Sequence, residues 1–265
     1  MKISLINHNT PQYKTITNNN LKKDYNTTNN STNLNNLPYY RITFQAKYPY
    51  KKVNNDIALN QILIDKLKIK NLRKLDNNNI SGPTFATRPD SDLISLKKAG
   101  IKRIIDFRAE AEQSFMKKCK SLNLEYFNFP LDHYGRLKDS PYFESINENK
   151  TVVSDKFVKN LNKFINMSND GNAYMGCYYG VDRTNMGVLF DYIFSNKEKS
   201  TPKLLHWAED SKKSVVNKDL KIIRKIARRL TPEQKNILNL DDKFKENLDK
   251  KINKILITNI YSPIE

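Results

Sequence analysis

Five residues separate Cys177 from Arg183, Gly180 lies between them, and Thr184 follows at once. The chain holds only two cysteines and seven glycines, and Gly176, Gly180 and Gly187 gather around this stretch. A free thiol titrates near 8.5, so a cysteine that acts at neutral pH needs its thiolate stabilised. A helix N-terminus supplies that stabilisation through unsatisfied N–H groups and the positive end of the macrodipole. Arg183 and Thr184 open the apolar run Met186, Val188, Leu189, Phe190, Ile193, Phe194, which predicts such a helix. Tyr178, Tyr179, Gly180, Val181, Asp182 and Arg183 then form a loop whose amides can wrap an anion, with Cys177 beneath it. Arg183 offers a planar fork for two phosphoryl oxygens. Thr184 can donate to the Cys177 thiolate and ease its departure when a thiophosphate is hydrolysed. The chemistry implied is nucleophilic attack on phosphorus.

Cys177 to Thr184 carries the Cys-x5-Arg-Ser/Thr signature, and in this the chain resembles the cysteine-dependent tyrosine and dual-specificity phosphatases. A second segment, Ala86 to Arg108, is similar to the opening of the atypical dual-specificity group: an Arg-x-Pro-like turn, a helix, Gly100-Ile101, then Ile105-Asp106-Phe107-Arg108. The resemblance covers about residues 80–195 and implies hydrolysis of phosphate monoesters through a cysteinyl-phosphate, with no cofactor. The implied substrates are phosphotyrosine or phosphoserine/threonine proteins. Asp182-Arg183-Thr184 also resembles the ending found in phosphoinositide phosphatases, which keeps a lipid or inositol phosphate open. The family usually has His before its nucleophile, and this chain has Gly176. An impaired, phosphate-binding form is therefore a further alternative.

The leaving oxygen needs a general acid. The resemblance points to Asp132, in the loop after a core strand, then to Asp182 beside the phosphate site, then to Asp139 on the same long polar loop as Asp132. His133 is a lone neighbour. Asp106, Arg108 and Arg88 are expected to brace the sheet and loop. No His/Cys/carboxylate group has metal-ligand spacing, so no metal is expected.

The elements that must position these residues alternate. Asp90–Ala99 reads as a helix stopped by Gly100, 102–107 as a buried strand, 110–122 as a helix, and 124–131 as a strand. Phe157, Val158, Leu161, Phe164 and Ile165 mark an amphipathic helix, and 172–176 is the strand that delivers Cys177. This is an α/β fold, its central sheet largely parallel and flanked by helices, with ligand at the carboxyl ends of the strands. Leu59, Ile62, Leu63 and Leu67 predict a helix through 57–75, and Tyr39–Gln45 has β character. The expected organisation is an Asn/Thr-rich disordered arm and linker over 1–55, a phosphatase-like domain over 56–200, and a helical extension over 201–265. In the extension, Thr201-Pro202 and Thr231-Pro232 read as helix starts. Between them Ile222, Ile223, Ile226, Ala227 and Leu230 form an apolar face opposite Lys221, Arg224, Lys225 and Arg228. Trp207 and His206 are expected to pack there too.

The net charge of +18 favours anionic partners, although the lysines are dispersed rather than massed. The basic helix is a candidate for docking on an anionic membrane surface, and more simply a solvated face. No base-stacking motif points to specific nucleic-acid binding. Two distant cysteines give no disulfide framework, and core packing is the expected role of Cys119. No run is long enough to span a bilayer and the first ten residues do not form a signal peptide, so a cytoplasmic location is expected. Delivery as a secreted effector through an unstructured N-terminus stays open.

Overall fold

The strand that carries the cysteine is the middle of the sheet. In the computed structural model, residues 59–261 are described apart from 68, 77, 85–89, 133–140, 148–149 and 207–208. The N-terminal arm, Tyr39–Gln45, Arg88, His133, Asp139 and Trp207 therefore lie outside the described residues. Five strands make the main sheet: β1 (Arg73–Lys74), β2 (Ile80–Pro83), β3 (Arg103–Asp106), β4 (Glu125–Asn128) and β7 (Ala173–Cys177). Their order is β1-β2-β7-β3-β4, parallel throughout except that β1 runs antiparallel to β2. Every residue of β7 is buried, as a strand covered on both faces must be.

The chain leaves β2, forms α2 (Asp90–Lys98), and enters the sheet again at β3, leaving between them the slot that β7 fills. In open α/β sheets the crevice beyond the carboxyl ends at such a change of order is where ligands bind. Pro83 and Asp106 end their strands beside Cys177 and Gly176 respectively. The mostly parallel α/β arrangement is the one the alternating pattern predicts. Helices α3 (Gln113–Ser121), α4 (Asp155–Asn169) and α5 (Asp182–Phe194) follow it closely, and Gly100, at φ +106°, stops α2 as expected.

Three expectations need correction. Helix α1 spans only Gln61–Lys66, capped by Asn60, and does not reach residue 75. After it Asn71, at φ +64°, turns the chain, and Arg73–Lys74 pairs with Ser81 and Ile80. Covering the open edge of β2 outweighs the helical spacing of the leucines. The polar stretch that follows Asp132 is not all loop. Phe143–Asn147 (β5) and Lys150–Val153 (β6) form an antiparallel hairpin, with Tyr142 and Val153 buried beneath it. Thr201-Pro202 opens no helix either. That segment is extended, and its backbone is taken up by side chains: Leu204 N–H and the Pro202 carbonyl bond Asn259, and Leu205 bonds Asn185.

Helices α6 (Glu209–Arg229), α7 (Pro232–Ile237) and α8 (Phe244–Leu256) complete the chain. Thr231 and Gln234 form a capping box at the start of α7. These helices share one apolar core with the sheet: Val216, Ile223, Ile226, Ala227, Ile252 and Ile255 bury with Phe107, Phe129 and Phe190. The Lys251 ammonium donates to the carbonyls of Tyr192, Ile193 and Ser195, so α8 caps the C-terminal end of α5. On the basic face of α6, Lys221 and Arg228 are exposed. Lys225 lies 4.7 Å from the centre of the Phe143 ring, and Arg229 donates to Thr151 Oγ1 at 2.6 Å. Part of that charge is thus used against the β5–β6 hairpin. No helix among the described residues is long and apolar enough to cross a membrane.

Candidate active site

Cys177 ends β7 with its side chain buried, and α5 begins at Asp182, so four residues form the loop between them. The Cys177 amide donates to Thr184 Oγ1 at 3.0 Å, and the Thr184 hydroxyl donates to Cys177 Sγ at 3.2 Å. Because the hydroxyl oxygen is occupied by an amide donor, its proton is left for the sulfur.

Four carbonyls between Cys177 and Val181 are taken up by hydrogen bonds. Cys177 O accepts from Thr84 N–H at 2.6 Å, Tyr179 O from Asn71 Nδ2 at 2.9 Å, and Gly180 O from Arg73 Nη2 at 3.4 Å. Val181 O accepts from Asn185 N–H at 2.7 Å inside the first turn of α5. In a trans peptide the N–H points opposite the preceding C=O. The amides of Tyr178, Gly180, Val181 and Asp182 therefore face the other way, into the loop, as an anion cradle requires. Gly180 stands at φ +73°, and a Cβ there would lie 2.5 Å from the Gly82 carbonyl carbon. Both facts demand glycine.

The residue before the cysteine is a glycine for a related reason. A Cβ on Gly176 would lie 2.5 Å from the Gly82 carbonyl oxygen on β2. No side chain, histidine included, fits at that position with the strands so placed. Tyr178 and Tyr179 are 47% and 59% exposed, with their rings edge to face at 5.2 Å. They stand at the surface of the loop and do not pack beneath it. Arg183 is the second residue of α5 and Asp182 the first, and both are partly buried.

Asp132 is buried, four residues beyond the end of β4 and so at the same edge of the sheet as Cys177. Tyr142 holds it there: its hydroxyl accepts from Asp132 N–H at 2.7 Å and lies 3.0 Å from the Asp132 carbonyl and 3.3 Å from Met186 Sδ on α5. Burial pushes the Tyr142 phenol well above its ordinary range, so it remains a donor at any ordinary pH.

The Asp106 and Arg108 pair braces the end of β3. Two Arg108 nitrogens engage the carboxylate, the shorter contact being 2.7 Å, and Tyr126 donates to the same group at 2.9 Å. Burial works against the Arg108 charge, but Asp106 and Glu112 outweigh it and raise the guanidinium above its usual value. Burial, with Asp106 nearby, pushes the Cys119 thiol up to about 12.

Four residues at the site do not stand out in the sequence as functional. Asn71, in the turn before β1, and Arg73, in β1, reach the loop from a two-residue strand and its approach, hidden in an apparently helical run. Asn185 ties that arginine to Leu205, and Tyr142 sits in what reads as a polar loop. Only Asn185, directly after Thr184, could have been suspected from its position.

No family model and no curated sequence matches this chain. Solved structures to which it is similar include a Shewanella putrefaciens protein of the DUF442 group named as a candidate phosphatase, at 14% identity and TM-score 0.38, covering 60% of this chain and 97% of that one. The core catalytic domain of the PP-IP phosphatase SIW14 from S. cerevisiae matches at 11% identity and TM-score 0.33, covering 74% and 97%. DUSP15 matches at 17% identity and TM-score 0.31, covering 69% and 94%. These neighbours belong to the atypical dual-specificity and tyrosine phosphatase superfamily.

Proposed function

We propose that this protein is a phosphatase that hydrolyses phosphate monoesters, first of all on phosphoproteins, through a cysteinyl-phosphate at Cys177. The observation that carries the reading is the reciprocal bonding of Cys177 and Thr184 at the base of a loop whose carbonyls are taken up by hydrogen bonds. The loop amides and Arg183 bind the phosphoryl oxygens. The Cys177 thiolate attacks phosphorus, the P–O ester bond breaks, and Asp132 gives its proton to the leaving oxygen. Asp132, now a carboxylate, takes a proton from water as the hydroxide attacks phosphorus. The P–S bond breaks, inorganic phosphate forms, and the sulfur leaves as a thiolate bonded by Thr184. Asp182 serves the loop from the first turn of α5, where a carboxylate is favoured.

Exposed Tyr178 and Tyr179 supply an aromatic lip beside the phosphate position, which suits an aryl phosphate such as phosphotyrosine. The Asp182-Arg183-Thr184 ending supports a second reading, a phosphoinositide or inositol phosphate. Wild-type and Cys177→Ser proteins assayed on p-nitrophenyl phosphate, phosphopeptides and phosphoinositides test the proposal. Cys177-dependent release is expected, strongest on phosphotyrosine peptides. Release from phosphoinositides alone would transfer the substrate to the second reading. Vanadate binding without turnover on any substrate would make the chain a phosphate-binding protein and overturn the enzyme.

A further inference from the structure

β1 is only two residues long, yet its arginine touches three other parts of the site. Arg73 Nε donates to Ser81 Oγ on β2 at 2.8 Å, Nη1 to Asn185 Oδ1 on α5 at 2.8 Å, and Nη2 to Gly180 O in the loop at 3.4 Å. Asn185 in turn accepts from Leu205 N–H and donates to Leu205 O, so the same contact secures the extended segment after α5. Two residues earlier, Asn71 holds Tyr179 O. The turn and the strand it leads into thus hold two successive loop carbonyls, and those carbonyls decide which way the next amides point.

We propose that Arg73 is the positioning residue of the anion loop, fixing the Gly180 carbonyl and with it the amide that follows. The inference rests on the reading of Cys177 as an anion-site nucleophile. Burial lowers the Arg73 guanidinium to about 10, with Cys177 and then Tyr174 pulling the other way. The group therefore stays protonated and a full donor at neutral pH. Among the described residues, the other titratable groups about the loop are Tyr178 and Tyr179 within it, Asp182 and Arg183 on α5, Asp132 beyond β4, Tyr174 on β7 itself, and the Asp106–Arg108 pair at the end of β3. Two roles follow for one side chain. The fork orients the loop and the charge strengthens its hydrogen bonds.

Lysine and methionine separate them. Arg73→Lys keeps a charge and loses the fork, whereas Arg73→Met loses both. The readouts are kcat/KM on p-nitrophenyl phosphate and vanadate affinity. For Arg73→Met vanadate affinity is expected to fall about 100-fold. In the same variant kcat/KM should fall about 100-fold. In Arg73→Lys kcat/KM and vanadate affinity are each expected to fall about tenfold. A folded Arg73→Met protein with wild-type vanadate affinity and turnover overturns the proposal. Should that variant fail to fold, Arg73→Lys decides: wild-type turnover and vanadate affinity would overturn it. If the wild type shows no Cys177-dependent turnover, the phosphatase reading fails, while vanadate binding still tests Arg73.

Discussion

Thr184 bonds Cys177 twice, taking the backbone amide at 3.0 Å and standing 3.2 Å from the sulfur. In the proposed cycle the second contact matters most when sulfur leaves phosphorus. Thr184→Ala should slow hydrolysis of the intermediate more than its formation, lowering kcat about 10- to 100-fold. A burst of nitrophenol followed by a slow steady rate is the expected trace, and Thr184→Ser should restore the wild-type course. Equal slowing of both phases would remove Thr184 from the leaving step.

Asp132 is fixed by its backbone, through the Tyr142 hydroxyl, and this makes it the acid to test first. Asp132→Asn should lower kcat about 100-fold on alkyl phosphates, whose leaving oxygen must be protonated. On p-nitrophenyl phosphate, with its stable leaving group, the loss should be much smaller. Tyr142→Phe should cost about tenfold in kcat by loosening Asp132, with KM little changed. Asp182→Asn with the larger alkyl-phosphate defect would exchange the roles of the two carboxylates.

How much of this was legible in the sequence depended on how local the cause was. Cys177, Arg183 and Thr184 are set by one strand–loop–helix unit, and their spacing is visible without any tertiary information. The α/β alternation was equally plain, because each core element carries its own hydrophobic period. Arg73 was hidden for the opposite reason. Its role depends on Ser81, Gly180 and Asn185, which are separated from it by up to 112 positions. The hairpin that buries Tyr142 lies in a run of polar residues, where pattern gives way to packing against α6. Gly176 could be seen as a departure from the family, but its cause, the Gly82 carbonyl across the sheet, could not.

Cys119 offers a stability test apart from catalysis. Burial pushes its folded thiol up to about 12, well above a free thiol, so above pH 9 the unfolded chain loses a proton that the folded one keeps. Stability is therefore expected to fall as pH rises from 9 toward 12. Cys119→Ala should start from a lower Tm at pH 8 and decline less steeply between pH 9 and 10, before the tyrosines titrate. Parallel melting curves for the two proteins would show that Cys119 contributes nothing to the slope.

Lys251 joins the last helix to the end of α5 through three carbonyls at 2.9, 3.1 and 3.1 Å. Lys251→Met should destabilise the fold by about 1–3 kcal/mol, as expected for losing a charged donor to buried carbonyls. Thermal melting reads the loss. Alkylation of Cys177 at the other end of α5 should be unchanged, since helix-end effects fade within a turn. A wild-type Tm would mean that α8 is held by its apolar face alone.

The covalent intermediate is the most direct measurement. Wild-type and Thr184→Ala proteins would be mixed with p-nitrophenyl phosphate, quenched in acid within milliseconds, and digested for mass spectrometry. A phosphate adduct on the Cys177 peptide is expected, transient in the wild type and accumulating in Thr184→Ala. Turnover with no adduct on Cys177, or with one on another residue, would contradict the mechanism at its centre.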